Sequence, residues 1–472
     1  MTPLVGREAE REILQAAFDS DRSEFVSVYG RRRVGKTFLI RNFFKDKFTF
    51  QISGVANVNT PEQLLNFYIA LTNTSDKIEF EKKENWLEAF EQLKILIEKS
   101  RHKKKVIFFD ELPWFDTPKS GFIQALEHFW NDYASARDDI KLITCGSAAS
   151  WMINKIINNR GGLHNRVTKK IRLEPFTAAE CKLLLKKKKI NLNNYQIARL
   201  YFAFGGVPFY WEEVAKGFSA DQNIQHICFS ENGLLRNEFK NLFPSLFKKP
   251  QKHLEIVRAL AKKSKGLTRD EIIKLSGLPN AGSTSRLLNE LEESGFIRRY
   301  IPFGKKERQS LYQLIDFYTL FYLKFIEKVP ASTVNYWLNS FDSPKARTWR
   351  GYAFELFNLV HINKIKEALG ISGVESSNYS WRSKNPENGA QIDLIIDRKD
   401  MVINICEIKF SAGEFTITKA YAENLRNKLS TFITETKTRK TVVLTMISTF
   451  GIKQNEHSLG LIQKELVMED LF

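Results

Sequence analysis

Short apolar runs alternate with amphipathic stretches along the first third of the chain. EFVSVYG precedes a helical pattern opening at Lys36, FTFQIS follows, a long helical pattern spans 85–100, and VIFFDE and KLITCGS close the series. Runs of β-branched and aromatic residues separated by helix-length segments predict βαβ units and a parallel sheet. The pattern then turns helical: 175–240 reads as AAECKLLLKKKK, NYQIARLYFAFGG and FYWEEVAKGF, with no strand between them.

Residues 252–314 change again. KHLEIVRALAKK, LTRDEIIKLSG with its capping-type opening, and GSTSRLLNELEESG predict three helices, while FIRRYIPFGKKERQSLYQLI predicts two strands flanking Gly304. Helix, helix, helix, hairpin is the winged-helix order. The aromatic-rich stretch 315–345 reads as a packed connector. The last part opens with an amphipathic helix, GYAFELFNLVHINKIKEAL. It continues through QIDLIIDRKDMVINICEIKF, two strands about an Arg-Lys-Asp turn, then the helix AYAENLRNKLSTF and the strand TVVLTMIS.

Composition narrows the function classes. A length of 472 residues accommodates several domains, and 43% hydrophobic with 27% charged residues is ordinary globular usage. Lys and Arg number 72 against 54 Asp and Glu, a net charge of +18 that favours a polyanionic partner. The excess is local: residues 241–310 hold 15 basic and 7 acidic side chains, whereas 341–472 hold 18 and 16. Four scattered cysteines and seven histidines without metal-ligand spacing imply a reducing compartment and no zinc site. The opening MTPLVGREAERE is not a signal peptide, and the most apolar stretch, from Leu311, is interrupted by Asp316 and Lys324. A cytoplasmic protein with no membrane partner is expected.

Gly30 to Thr37 reads GRRRVGKT, matching G-x-x-x-x-G-K-[ST] between an apolar strand and a helix. Such a loop lets backbone N–H groups approach phosphate oxygens, while a lysine reaches the β- and γ-phosphates and a hydroxyl holds Mg²⁺. The candidate nucleotide contacts are Gly30, Arg31, Arg32, Arg33, Val34, Gly35, Lys36, Thr37 and Phe38, with Lys36 also catalytic. VIFFDE then places Asp110 and Glu111 at a strand end, the Walker B position: Asp110 for the Mg²⁺, Glu111 to polarise the attacking water. Ser147, after the next strand, is either a γ-phosphate sensor or a turn-former.

LVGRE at 4–8, GRRRVGKT, FFDELPWF, CGSAASWM and GGVPFYW at 205–211 together resemble an AAA+-related group of archaeal and bacterial ATPases, kin to origin-recognition and STAND ATPases. The resemblance covers about residues 1–240. It implies ATP and Mg²⁺ as cofactors, Val5, Gly6 and Arg7 against the adenine, and a helical lid carrying the GGVP segment with Pro208. It also implies an arginine acting on a neighbouring subunit's γ-phosphate, for which Arg166 is the first candidate and Arg160 the second, and hints at a homo-oligomer.

In the winged helix, Ser283, Ser285, Arg286 and Asn289 are the candidate base readers, and Arg298, Arg299, Lys305, Lys306 and Arg308 the candidate phosphate contacts. DNA is the expected partner, read with weak sequence specificity; docking to a protein is the other use of such modules. In the last part, Asp393 is followed by Glu407 and Lys409, and strand alternation puts Glu407 and Lys409 on one face. Two carboxylates and a lysine on buried-type strands are what metal-assisted phosphodiester cleavage requires. With Glu355 on the preceding helix, this order resembles the PD-(D/E)xK nuclease superfamily over about 346–472. The resemblance carries Mg²⁺ ligation to Glu355, Asp393 and Glu407 and places Gln391, Lys419 and Tyr421 around them.

The expected fold class is therefore α/β and multidomain. It comprises a P-loop ATPase core (1–172) built on a parallel sheet, a helical lid (173–245), a winged helix (246–315), a helical connector (316–345) and a small α/β nuclease-like domain (346–472). The expected function is ATP binding and hydrolysis coupled to DNA binding, with a Mg²⁺-dependent nuclease-like domain. The alternative is a STAND-type signalling switch whose C-terminal domain binds a partner without cutting.

Overall fold

The computed structural model describes the chain except residues 1–3, 76, 248, 331 and 385–388, so the N-terminal reading is placed only from Leu4 onward. The chain divides into two compact units, one of residues 1–174 with 289–295 and the other of 175–288 with 296–472.

In the first unit the apolar runs become β1 (Glu24–Tyr29), β2 (Phe48–Ser53), β3 (Lys105–Asp110) and β4 (Ile140–Gly146), joined by β5 (Lys169–Arg172). All neighbours are parallel, in the order β2-β3-β4-β1-β5. Both faces are covered, which is why β3 and β4 are buried along their whole length. Phe25, Ile107 and Phe109 join an aromatic cluster with Phe50, Phe67, Trp86 and Phe90, while Val26, Val28 and Phe108 pack with Leu14, Leu39 and Ile40. Because β4 lies between β1 and β3, the turns after these three strands open on the same edge, where ligands of such sheets bind. The hydrophobic pattern misses β5, whose four residues KKIR bury only Ile171 fully.

In the second unit the helices Ala178–Lys187 and Asn194–Phe204 form where expected. FYWEEVAKGF is instead a single turn, Pro208–Trp211. The chain beyond it is taken up by Asn223, whose Oδ1 accepts from the Ala215 N–H at 2.8 Å. The second glycine of the GGVP segment has a steric reason: a Cβ on Gly206 would stand 1.8 Å from the Phe176 carbonyl oxygen. Three helices, Pro250–Leu260, Arg269–Ser276 and Gly282–Glu293, precede the antiparallel hairpin of β6 (Ile297–Tyr300) and β7 (Leu311–Leu314). Thr268 and Glu271 make the reciprocal cap that the run LTRDE predicts. The connector packs through Phe321, Phe325, Trp337 and Trp349, and the Trp337 indole N–H joins the buried Arg199–Asp221 ion pair.

The helix of the C-terminal part begins earlier than its apolar pattern suggests, at Pro344 behind the Ser343 cap, and ends at Val360. After His361 a second helix, Ile362–Ala368, follows. The sheet consists of β8 (Ser376–Arg382), β9 (Gln391–Arg398), β10 (Val402–Lys409), β12 (Thr441–Ser448) and β14 (Lys464–Val467), in the order β14-β12-β10-β9-β8. β9 runs antiparallel to β8 and β10, whereas β10, β12 and β14 are parallel. The helix Lys419–Thr436 makes the β10-to-β12 crossover and lays Leu425 and Phe432 on the sheet. A two-residue pair, β11 (Phe415–Thr416) and β13 (Ile452–Lys453), lies outside this sheet. The polar β8 and the short β14 are not foreshadowed by the apolar pattern.

Candidate functional site

The loop after β1 is shaped for close backbone approach. Gly30 sits at φ 146°, where a Cβ would meet the Leu173 carbonyl oxygen at 2.3 Å, and Gly35 sits at φ 93° with nothing within 4 Å of a Cβ. The helix Lys36–Phe44 starts directly after Gly35, so its N-terminal N–H groups face the loop. The Lys36 ammonium donates to the Gly30 and Arg31 carbonyl oxygens at 3.0 and 2.9 Å, folded back into its own loop. Burial lowers its pKa, opposed chiefly by the Glu111 carboxylate. Val5 is half-buried and Gly6 buried. Arg7, in the left-handed region, donates to the Val34 carbonyl at 3.1 Å, which ties the VGRE segment to the loop.

Opposite the loop, Thr37 Oγ1 donates to Asp110 Oδ1 at 2.9 Å, and Ser53 Oγ donates to Asp110 Oδ2 at 3.2 Å. The Glu111 backbone is left-handed (φ 47°), turning the side chain away from the line of β3. Its Oε2 accepts from both the backbone N–H and the Oγ of Ser147, at 3.1 and 2.8 Å. Ser147 thus does more than turn the chain: it orients Glu111. Sequence reasoning missed Ser53 and Cys145. The Cys145 thiol donates to Asp110 Oδ1, and burial first, then Asp110, pushes its pKa well up. Strand register was the available signal, since Ser53 pairs with Asp110 across β2 and β3.

These residues fit a nucleotide triphosphate with Mg²⁺. A hydroxyl and a carboxylate, hard oxygen donors of the kind Mg²⁺ selects, already meet at one point beside an open glycine loop. Arg32 is exposed, while Arg31 is buried and Arg33 half-buried; Val34 is buried and Phe38 exposed. Arg166 and Arg160 are both exposed. Pro208, in the second unit, opens the single-turn helix Pro208–Trp211.

In the winged helix, Ser283, Arg286 and Asn289 are exposed, while Ser285 accepts from Arg269 Nε at 3.2 Å. Lys305, Lys306 and Arg308 are exposed in the wing. Arg298 is not a phosphate contact. Its Nε donates to Gln313 Oε1 at 2.7 Å, its guanidinium lies over the Tyr300 ring, and burial lowers its pKa. Arg299 is exposed and paired with Glu307 at 3.0 Å. The reason lies at the wing tip: the Phe303 N–H donates to the Ser380 carbonyl of β8, and its ring packs against Tyr379 and Phe432. The face of the hairpin that bears Arg298 is turned toward the C-terminal sheet.

There the pairing of β9 with β10 runs to Leu394↔Cys406, and Asp393 and Glu407 are the next residues beyond it. Glu407 accepts from Tyr421 Oη and from Lys428 Nζ at 2.8 Å, with Lys409 Nζ at 3.2 Å. Burial opposes its charge, but these partners hold its carboxyl below the usual range. Asp393 accepts from Gln391 Nε2 at 2.7 Å. It also shares the Lys265 ammonium with Glu355, at 2.7 Å to each. Lys419 is exposed, and Lys428 is the lysine of that helix that pairs with Glu407. Sequence reasoning missed Lys265 and Lys428. Among the described residues no three acidic, His or Cys side chains are grouped to hold a metal. Each carboxylate is instead matched by ammonium, so as arranged this set does not fit a resident Mg²⁺.

Comparison with known proteins agrees with the fold of the P-loop and helix-turn-helix parts of the chain. Residues 4–214 match the family model described as an ATPase domain predominantly from Archaea, and residues 250–300 match the IclR helix-turn-helix domain. The chain thus carries a P-loop ATPase domain and a helix-turn-helix domain of the DNA-binding type. It is 26% identical over 327 residues to the uncharacterized protein MJECL04 of Methanocaldococcus jannaschii, covering 68% of this chain and 69% of that one. It is 42% identical over 44 residues, 9% of this chain and 75% of the other, to the uncharacterized ATP-binding protein MJ0423 of the same organism. The structure of the Walker-type ATPase PABY2304 of Pyrococcus abyssi superposes with a TM-score of 0.51 at 18% identity, covering 68% of this chain and 96% of that one. That likeness shows the fold. No helix among the described residues is long and apolar enough to cross a membrane.

Proposed function

We propose that this protein binds and hydrolyses ATP with Mg²⁺ at the loop 30–37 and engages DNA through its helix-turn-helix domain. One observation carries the first half: Thr37 and Asp110, brought together at 2.9 Å, stand beside a Glu111 already oriented by Ser147. Mg²⁺, when bound with the nucleotide, would neutralise phosphate charge between Thr37 and Asp110. Lys36 exchanges its two loop carbonyls for phosphate oxygens, an exchange from neutral to charged acceptors that strengthens each bond. Glu111, held at Oε2 by Ser147, presents Oε1 to the attacking water, orients it and accepts its proton. Arg166, exposed after β4, acts on the γ-phosphate bound by a neighbouring copy of the chain. The test is Lys36→Ala: nucleotide binding and turnover should both disappear, and unchanged turnover refutes the assignment.

For DNA, support comes from the basic segment 241–310 and from the exposure of Ser283, Arg286, Asn289, Lys305, Lys306 and Arg308. With few base-reading side chains on the helix, binding rests mainly on phosphates and is weakly sequence-specific. The C-terminal module is read as nuclease-like from its chain order, a helix with Glu355, β9 with Asp393, β10 with Glu407 and Lys409, then a crossover helix. With its carboxylates matched by lysines, no cleavage step is assigned to the form described.

A further inference from the structure

The C-terminal turn of the helix Gly282–Glu293 belongs to the first unit, which takes in residues 289–295. There Glu293 Oε2 accepts from the Ser150 hydroxyl, and the Arg172 guanidinium donates to the Glu292 carbonyl at 3.3 Å. The second bond sets a cation on the carbonyl end of the helix, where its dipole is negative. Ser150 lies three residues after Ser147, and the chain between them has little freedom. The Ala149 N–H donates to the Ser147 carbonyl at 3.0 Å and the Met152 N–H to the Ala148 carbonyl at 3.1 Å, so 147–152 is one hydrogen-bonded turn. Its other side is packed as tightly. A Cβ on Gly146 would stand 2.8 Å from both Met152 Sδ and Pro113 Cδ, and Trp151 Nε1 donates to Asp116 Oδ2 at 3.1 Å. Pro113 and Asp116 belong to the segment that follows Glu111. A displacement of Ser150 is therefore passed on to Ser147, whose N–H and Oγ hold Glu111 Oε2.

We infer that Glu293 is a positioning residue for ATP hydrolysis: through Ser150 it fixes the turn that orients Glu111, and so couples turnover to DNA held by its own helix. The inference rests on the proposed function and adds how its two halves communicate. Three observations support it. The acceptor is a carboxylate, so the bond from Ser150 is of the stronger, charge-assisted kind. Asn289, exposed and a candidate base reader, lies one turn before Glu293 on the same helix face, and a DNA contact there acts on Glu293 through a single turn. The helix end also borders the phosphate loop: burial raises the pKa of Tyr29, Arg172 opposes the rise, and Glu174 and Glu293 add to it. Tyr29 is the residue before Gly30. Because the Ser150–Glu293 bond is already made in the DNA-free chain, a shift of the helix on DNA loosens it, and turnover slows.

The test is steady-state ATP hydrolysis by the full-length chain, with and without a saturating mixed-sequence DNA duplex, alongside equilibrium binding of a fluorescent ATP analogue. Glu293→Ala should lower kcat by about fivefold, in the range for a residue acting through a packed network, at unchanged nucleotide affinity. Glu293→Gln, whose amide oxygen still accepts the Ser150 hydroxyl, should recover most of that loss. Ser150→Ala should reproduce it, and Ser150→Ala combined with Glu293→Ala should lose no more than either alone, because the two act as one pair. DNA should lower the wild-type kcat toward the Glu293→Ala value and leave that variant unchanged. If Glu293→Ala turns over like the wild type, or the losses of the two single variants multiply, the inference is wrong while the phosphate-loop assignment stands. A matched fall in kcat, nucleotide affinity and Tm would make Glu293 a structural residue only, which also refutes it. A DNA effect that is equal in wild type and Glu293→Ala, accelerating, or missing removes the coupling. A wild type that hydrolyses no ATP ends the inference and the proposed function together.

Discussion

Thr37 Oγ1 donates to Asp110 Oδ1 at 2.9 Å across 73 residues of sequence. The bond joins the first turn of the helix after β1 to the last residue of β3, two strands that are not neighbours in the sheet. β4 lies between them, and its end supplies both Cys145 on Asp110 and, one residue past Gly146, Ser147 on Glu111. The consequence is a division between adjacent acids, Asp110 turned to the Thr37 hydroxyl and Glu111 to Ser147.

Replacing Glu111 should separate binding from chemistry. In Glu111→Gln the nucleotide should still bind, while turnover falls by about 10²-fold or more, as expected when a general base is removed. Ser147→Ala should produce a smaller loss in turnover at unchanged nucleotide affinity. Equilibrium binding of a fluorescent ATP analogue alongside steady-state hydrolysis distinguishes the two; a matched loss in both would show that Glu111 acts on folding or binding instead.

A shared site predicts complementation. Arg166→Ala keeps its own loop 30–37, and Lys36→Ala keeps its own arginine. Mixed in equal amounts, two inactive proteins should recover roughly a quarter of wild-type sites if neighbours associate at random. No recovery, with Arg166→Ala already active alone, would remove Arg166 from the reaction.

The wing should split into two kinds of arginine and lysine. Lys305→Ala, Lys306→Ala and Arg308→Ala should each weaken DNA binding alike on all sequences and reduce the salt slope by about 0.9 for each phosphate no longer neutralised. Arg298→Ala should leave that slope unchanged and lower thermal stability, because its guanidinium is spent on Gln313 and Tyr300. Salt titration of binding, paired with melting curves, reads both.

His361 makes stability fall with acid. Its Nε2 accepts the Ala178 N–H at 2.9 Å and its Nδ1 donates to the Phe357 carbonyl at 2.8 Å, so both nitrogens are engaged by a neutral ring. Burial pushes its pKa down from 6.5 to about 4. Below pH 6.5 the unfolded chain takes up a proton that the folded one refuses, so stability is lost as pH falls from 6.5 toward 4. The loss approaches about 3 kcal/mol. Urea unfolding across that range should show the slope, and His361→Gln should flatten it.

How much of this could be read in advance depended on the length scale of each interaction. The loop 30–37, Asp110, Glu111 and the pair Glu407 and Lys409 were legible because strand alternation and motif spacing are local properties. β5, β8 and β14 were not: they are short or polar strands whose place depends on neighbours elsewhere in the chain. Lys265 lies 90 residues from Glu355, and nothing in its surroundings distinguishes it from Lys262 or Lys263. Arg298 misled for a related reason, since alternation tells which residues share a face of a hairpin but not what that face meets.

The seating of Phe303 against Tyr379 and Phe432, with Tyr195 stacked on Phe410 and Phe202 against Phe354, bears on how this protein can be dissected. A chain shortened after residue 345 would keep every group assigned to nucleotide and DNA, yet would lay bare the rings at 195, 202 and 303. Such a fragment should self-associate through those greasy patches, and any multimer it forms would speak of severed packing before it spoke of biology.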